Sequence, residues 1–218
     1  MSRGTIVASV APAVRSLWGD DALEAVLTRL PDETRQATTG PALNSLEWYP
    51  TRFLLHYDRA IFEGPAGRDE ERFRSYLQRR VDLGFGRFRR TFLRFASPDR
   101  LAQRAAELWR NDQTHGDLKV ESVNPEGARL TLRGHPYTTN PISRLAFSEV
   151  LRHILSLTRV RNVRETHALV DDILVMNFLY RPLDDGAPPP GGRTKGSIRP
   201  PARPSTRPPR ASTRPPKR

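Results

Sequence analysis

Histidine is the residue type in this sequence best suited to metal or proton chemistry, and it occurs five times. The chain contains no cysteine, which excludes disulfides, thiolate nucleophiles, iron–sulfur ligation and thiolate zinc sites. The histidines are scattered and form no paired helical motif such as His-Glu-x-x-His. We therefore predict no metal site and no cofactor. The five histidines are His56, His115, His135, His153 and His167.

Catalytic patterns are missing as well. The sequence has neither a Gly-x-Ser-x-Gly elbow nor a Ser-x-x-Lys pair. Asp171 and Asp172 are adjacent carboxylates, but neighbours on a strand point to opposite faces, so we interpret them as turn or strand-entry residues. Gly84-x-Gly86 lacks a preceding strand and a third glycine, which makes it a poor phosphate loop. We predict no catalytic residues and favour a protein that is not an enzyme; the sequence does not indicate cofactor-binding residues.

Arginine and phenylalanine interleave between residues 79 and 94, a composition that can bind nucleic acid. The two residue types fall largely on separate faces of a helix, however, which is typical of an ordinary amphipathic helix. A patch that binds anions or an acidic partner is the alternative.

The net charge of +12 comes mainly from the C-terminal tail. Residues 186–218 contain nine basic and no acidic residues, which leaves 27 of the 36 basic residues and all 24 acidic residues for the rest of the chain. Ten of the 20 prolines also lie in this tail, so it cannot bury enough apolar surface to order itself. We predict a polyanion-binding tail through these residues: Arg193, Lys195, Arg199, Arg203, Arg207, Arg210, Arg214, Lys217 and Arg218.

The elements that must position any site begin with a predicted strand over residues 5–10, which are β-branched and alternating. Apolar residues at helical spacing then predict several helices, one opened by Pro50 and one capped by Ser97. Among these helices, Trp109 is expected in the core. Alternation then predicts a hairpin over residues 118–133.

A further helix is predicted to begin at Asn140-Pro141, and residues 173–180, apolar on both faces except for Asn177, predict a central strand covered on both sides. The sequence therefore predicts an α+β fold in which N-terminal helices pack on a small antiparallel sheet. We place the globular domain at residues 1–182 and a disordered, basic, proline- and arginine-rich tail at residues 183–218. No transmembrane segment is predicted, and the absence of cysteine fits a cytoplasmic protein.

Several segments together resemble a large paralogous family of uncharacterised myxobacterial proteins. They are Leu46-Glu-Trp-Tyr-Pro50, Leu83-Gly-Phe-Gly-Arg-Phe88, Ser97-Pro98 followed by Leu108-Trp109, and the hairpin led by Gly116. This layout is more distantly similar to the ligand-binding fold of heme–nitric-oxide sensors and 4-vinyl-reductase-like domains. The heme sensors carry a Tyr-x-Ser-x-Arg signature that contacts the porphyrin propionates, and this chain has none. The resemblance implies the fold and transfers no site residue.

The preferred hypothesis is a non-catalytic sensory or scaffold domain whose basic tail tethers it to an acidic protein partner or another polyanion. A heme or small-ligand sensor is one alternative, and non-specific association with DNA through the tail is another. Sequence-specific recognition of nucleic acid is not expected, because the tail has no aromatic residue and no structured element to enter a groove. The sequence does not indicate the oligomeric state.

Overall fold

A computed structural model describes residues 1–40, 43–84, 93 and 96–183. The helices are α1 (Gly4–Ala8), α2 (Val10–Thr28), α3 (Asp32–Thr38), α4 (Arg52–Glu63), α5 (Glu70–Gly84), α6 (Pro98–Asp112) and α7 (Pro141–Ser156). The strands are β1 (Ser2–Arg3), β2 (Trp48–Tyr49), β3 (Asp117–Asn124), β4 (Gly127–Arg133), β5 (Val160–Val170) and β6 (Ile173–Pro182). Among the described helices, none is long and apolar enough to cross a membrane.

The N-terminal strand predicted over residues 5–10 is wrong, because this segment forms α1 and the start of α2. Both Val7 and Val10 are buried there in a helical core. Packing against neighbouring helices therefore overrides the local β propensity of branched residues. The helix predicted to open at Pro50 begins two residues later, because Trp48–Tyr49 pairs with β1 as a short strand.

The apolar residues that recur at helical spacing in α4 and α5 are buried, as predicted. Phe53, Leu54 and Ile61 of α4 are buried, and so are Phe73 and Leu77 of α5. The two helices and the N-terminal helices share one apolar core.

Local capping chemistry sets the starts of α6 and α7. The Ser97 side chain accepts a hydrogen bond from the backbone N–H of Arg100, and Asn140 does the same for Ser143. A proline follows each cap, where its missing N–H leaves no bond unmade. Both helix starts are confirmed as predicted.

The larger sheet is antiparallel, with strand order β3-β4-β6-β5. The β3–β4 hairpin is confirmed, with Asn124 paired to Gly127 at its turn. The central position of β6 is confirmed too, but only one face is covered: Phe178 is buried, whereas Leu179 is 63% exposed.

β5 was not predicted, and its two-residue turn into β6 places Asp171 and Asp172 at φ of 48° and 62°. Positive φ at both central residues is the requirement of a type I′ hairpin turn, so the prediction of a turn role for this carboxylate pair is confirmed.

A second apolar core lies where the sheet packs against α6 and α7. The fold is therefore α+β, as predicted, with a helical layer and a sheet layer joined by α7. The tail residues 184–218 lie outside the described residues.

Candidate ligand-binding site

A cavity of about 840 Å³ lies between α6, α7 and the β3–β4 hairpin. Most of its wall is apolar: Leu101 and Leu108 from α6, Leu130 from β4, and Leu151 and Ile154 from α7. Ligand pockets typically have volumes of roughly 300–1,000 Å³ and mostly apolar walls. The size and chemistry of this cavity are thus those of a small-molecule site.

Helix α6 explains how the cavity arises. Its apolar residues recur at core spacing, yet Trp109 is 8% exposed while Leu108 is 42% exposed and Leu101 and Ala105 are only half-buried. The helix therefore packs at Trp109, and the rest of its apolar stripe borders the cavity.

Trp109 anchors α6 to the sheet layer. Its indole N–H donates to the Gly116 carbonyl over 3.0 Å, and its ring meets the rings of His135 and Phe147 edge-on at 4.9 and 5.4 Å. Trp109 is buried as predicted, and it also forms part of the cavity wall.

A buried polar cluster borders the cavity near Trp109. The Gln113 side-chain oxygen accepts from the Ser2 hydroxyl at 2.8 Å and lies 3.3 Å from His135 Nε2. Tyr137 hydrogen-bonds with Ser2 and Gln113, and burial raises the pKa of its phenol to about 12. The phenol therefore stays protonated at neutral pH.

A buried ion pair forms a second polar part of the site. Arg80 lines the cavity and donates to the Asp58 carboxylate at 2.9 Å and to the Tyr76 hydroxyl at 3.4 Å. Both charged side chains are buried, Asp58 at 1% and Arg80 at 6% exposure. The sequence carried no signal for this pair, because Asp58 and Arg80 look like ordinary helix residues.

The histidines do not assemble into a metal site. His56 contacts Thr34, and His153 contacts Asp82 at 3.1 Å, as expected for a hydrogen-bonded histidine. His135 lies in the loop that follows β4, where it is 3% exposed and its ring stacks on His115. Among the described residues, no group of three histidine, aspartate or glutamate side chains is arranged to hold a metal ion.

A further polar network connects α5 and α7 away from the cavity. Glu149 of α7 is fully buried and accepts hydrogen bonds from Arg74 and Gln78 of α5 and from Arg152. These hydrogen bonds lower the pKa of Glu149 against the opposing effect of burial. The network ties α5 to α7 and is structural.

Several predicted residues lie outside the described part of the chain. They are the nine basic tail residues (Arg193, Lys195, Arg199, Arg203, Arg207, Arg210, Arg214, Lys217 and Arg218), together with Phe85–Phe92 and residues 94–95 of the arginine–phenylalanine stretch. The suggested phosphate loop is described only as far as Gly84, the last residue of α5.

The chain is an α+β domain with a ligand-sized pocket between its helices and sheet, and solved structures share its fold. The chain is structurally similar to H-NOX (heme–nitric oxide/oxygen binding) domains at low sequence identity. An Fe(II) unliganded H-NOX protein from K. algicida matches at a TM-score of 0.62 and 10% identity, over 86% of this chain and 100% of that one. An Fe(II) H-NOX protein from S. oneidensis matches at 0.61 and 11% identity, over 84% and 98%.

An oxygen-binding H-NOX domain related to soluble guanylate cyclases, solved as its oxygen complex, matches at a TM-score of 0.57 and 12% identity, over 85% of this chain and 99% of that one. No protein-family model matches the sequence. No curated protein matches it either. The resemblance noted in the sequence thus extends to the three-dimensional fold.

The residues of the cavity do not fit a protein-ligated heme. Heme iron is held by histidine, cysteine, methionine or tyrosine side chains. All histidines, methionines and tyrosines of this chain lie in the described part, and Tyr137 is the one that lines the cavity. Its hydroxyl is already engaged by Ser2 and Gln113, and its raised pKa opposes the phenolate form. The wall thus offers apolar contact, guanidinium groups and other polar side chains but no axial ligand.

Proposed function

We propose that this domain is a non-catalytic sensory module that binds a small, largely apolar molecule in the cavity between α6, α7 and the sheet. The observation that carries the proposal is the 840 Å³ cavity with its mostly apolar wall. The similarity to H-NOX domains, including one that binds oxygen, supports a sensory role. The missing axial ligand favours a small organic molecule over heme.

The test is titration with the neutral apolar dye Nile red, followed by its fluorescence. Ala105 lines the cavity on α6, whereas its neighbour Ala106 does not and is also half-buried. We expect Ala105→Phe to weaken dye binding at least tenfold, because the ring occupies cavity volume, and Ala106→Phe to leave it unchanged. Equal binding by both variants would overturn the proposal.

The heme alternative has its own measurement. We expect hemin added to the purified protein to give an absorption spectrum that no histidine substitution alters. A sharp Soret band abolished by one histidine variant would contradict our assignment of the cavity to an organic ligand.

We also propose that residues 186–218 tether the domain to an acidic protein partner or another polyanion, in the cytoplasm as the cysteine-free composition suggests. Support comes from the composition of this segment, which has nine basic and no acidic residues and is rich in proline, a residue type that favours an extended backbone. DNA is the alternative target, bound without sequence readout.

Comparing the full chain with residues 1–185 on anionic vesicles, DNA and acidic proteins tests this tether. We expect retention of the full chain alone, and retention that falls steeply with salt. Equal retention of both forms at low salt would rule the tether out.

A further inference from the structure

Of the arginines that the structure describes, three line the cavity, and they differ sharply in exposure. Arg100 and Arg104 lie on the exposed rim of α6, where Arg104 pairs with Glu107 at 3.1 Å. Arg80 reaches the cavity from α5 and is only 6% exposed, so it belongs to the buried wall. A charged group on the buried wall of a mostly apolar cavity points to a specific ligand chemistry.

Arg80 uses one nitrogen for both of its hydrogen bonds. Nη1 donates to Asp58 and to Tyr76, whereas Nε and Nη2 make no hydrogen bond to the described residues. A guanidinium carries five N–H donors in a planar fork. In the described part of the chain, Asp58 Oδ2 is the only fully buried side-chain nitrogen or oxygen without a partner, so Arg80 Nε and Nη2 keep some accessible surface. Arg80 lines the cavity, so these two nitrogens are the donors it has left for a ligand there.

The neighbouring side chains keep the Arg80 guanidinium charged. Burial works against the charge, but Tyr76 and Asp58 outweigh it and raise the pKa of Arg80 above its ordinary value. A wholly apolar ligand covering these donors would leave them without a partner, which is unfavourable. A carboxylate matches the fork geometry of the guanidinium with two parallel hydrogen bonds, which are strong where water is excluded.

We propose that the ligand is an amphipathic monocarboxylate whose apolar body lies along α6, α7 and the sheet and whose carboxylate accepts hydrogen bonds from Arg80 Nε and Nη2. The inference rests on the proposed function and adds the head group and its partner. The apolar wall supplies affinity, and Arg80 discriminates the acid from its neutral analogues.

The test compares two probes of one shape, dansylated undecanoic acid and its methyl ester, by dansyl fluorescence at neutral pH. We expect the wild-type chain to bind the acid at least tenfold more tightly, since a hydrogen bond to a charged group contributes at least the about 1.4 kcal/mol that a tenfold change requires. Arg80→Lys keeps a positive charge beside Asp58 but loses the fork. It should weaken acid binding about tenfold and leave ester binding unchanged.

Two further variants keep the test decisive if Arg80→Lys fails to fold by circular dichroism. Asp58→Asn removes the competing carboxylate and should strengthen acid binding alone, whereas Arg100→Met on the rim should leave the preference for the acid over the ester intact. Equal binding of acid and ester by the wild type, or an Asp58→Asn variant with unchanged acid affinity, would overturn the inference. Loss of the preference in Arg100→Met would also overturn it by placing the head group at the rim. Binding of neither probe would instead overturn the proposed function.

Discussion

Acidification should destabilise this fold through a single buried histidine. His135 is 3% exposed, and its two ring nitrogens already have partners. Nδ1 accepts from the Tyr137 backbone N–H at 3.2 Å, so Nε2 carries the proton and faces the Gln113 oxygen at 3.3 Å. A second proton on Nδ1 would oppose the Tyr137 N–H. Burial, with the positive field of His115, lowers the pKa of His135 to about 3.

Proton linkage gives the sign and the size of this effect on the free energy of unfolding. The unfolded chain protonates His135 near its ordinary pKa of about 6.5, whereas the folded chain does not until pH approaches 3. Between these values the unfolded state binds the extra proton, so the stability contribution is fully present above pH 6.5 and is lost as pH falls. At about 1.4 kcal/mol per pH unit, His135 alone should lower the free energy of unfolding by about 2 kcal/mol between pH 7 and pH 5.

Urea denaturation at these two pH values measures the effect. In His135→Asn the amide oxygen replaces Nδ1 as an acceptor and nothing titrates, so the loss between pH 7 and pH 5 should shrink by about 2 kcal/mol. Trp109→Phe is the matched control, because it disturbs the ring contact between Trp109 and His135 without removing a titrating group. An unchanged pH dependence in His135→Asn would refute the reasoning.

Three further effects on the free energy of unfolding should appear in urea denaturation at pH 7. Trp109→Ala should cost about 3–5 kcal/mol, as expected for a buried aromatic, and a fully solvent-quenched native Trp109 would refute its placement. Glu149→Ala should cost about 3 kcal/mol because it leaves two partly buried arginines without their carboxylate partner. Glu107→Ala on the exposed rim should have no measurable effect, and equal costs for the two variants would contradict the structural role of the Glu149 network. Asp172→Gly should stabilise the fold by about 1 kcal/mol, because φ at this residue is 62° and glycine adopts positive φ without steric cost. Any destabilisation would count against the type I′ turn.

The parts of the fold that the sequence predicts are those whose signals are local. Ser97 and Asn140 cap their helices with their own side chains, and the turn at residues 124–127 closes a hairpin between two alternating segments. Residues 5–10 lack such a local signal, because their helical state depends on packing against other helices.

β5 escaped prediction for a related reason. Charged residues such as Arg161, Arg164 and Glu165 interrupt its pattern, and a bulge between Arg161 and Arg164 shifts its register. Its place in the sheet depends on pairing with β6, which a local pattern does not reveal.

The site could not be predicted, because spacing indicates which face of a helix is apolar but not what covers it. Leu101, Ala105 and Leu108 have the periodicity of core residues, and the sequence cannot distinguish a packed core from a cavity wall. The Arg80–Asp58 pair joins residues 22 positions apart on different helices, and only the packing of α4 on α5 brings them together.

The composition of the cavity wall bears on why the cavity persists. Alanine recurs around it, at residues 96, 102 and 105 and again on β4 and α7. Protein interiors are otherwise close-packed, and larger apolar side chains at such positions would bury more surface and stabilise the fold. If the cavity binds a ligand, a larger side chain that fills it should raise the stability of the fold and weaken ligand binding. Ala105→Leu should therefore maintain or raise the melting temperature while it weakens Nile red binding. A variant that loses stability and binding together would instead mean that Ala105 is an ordinary packing residue.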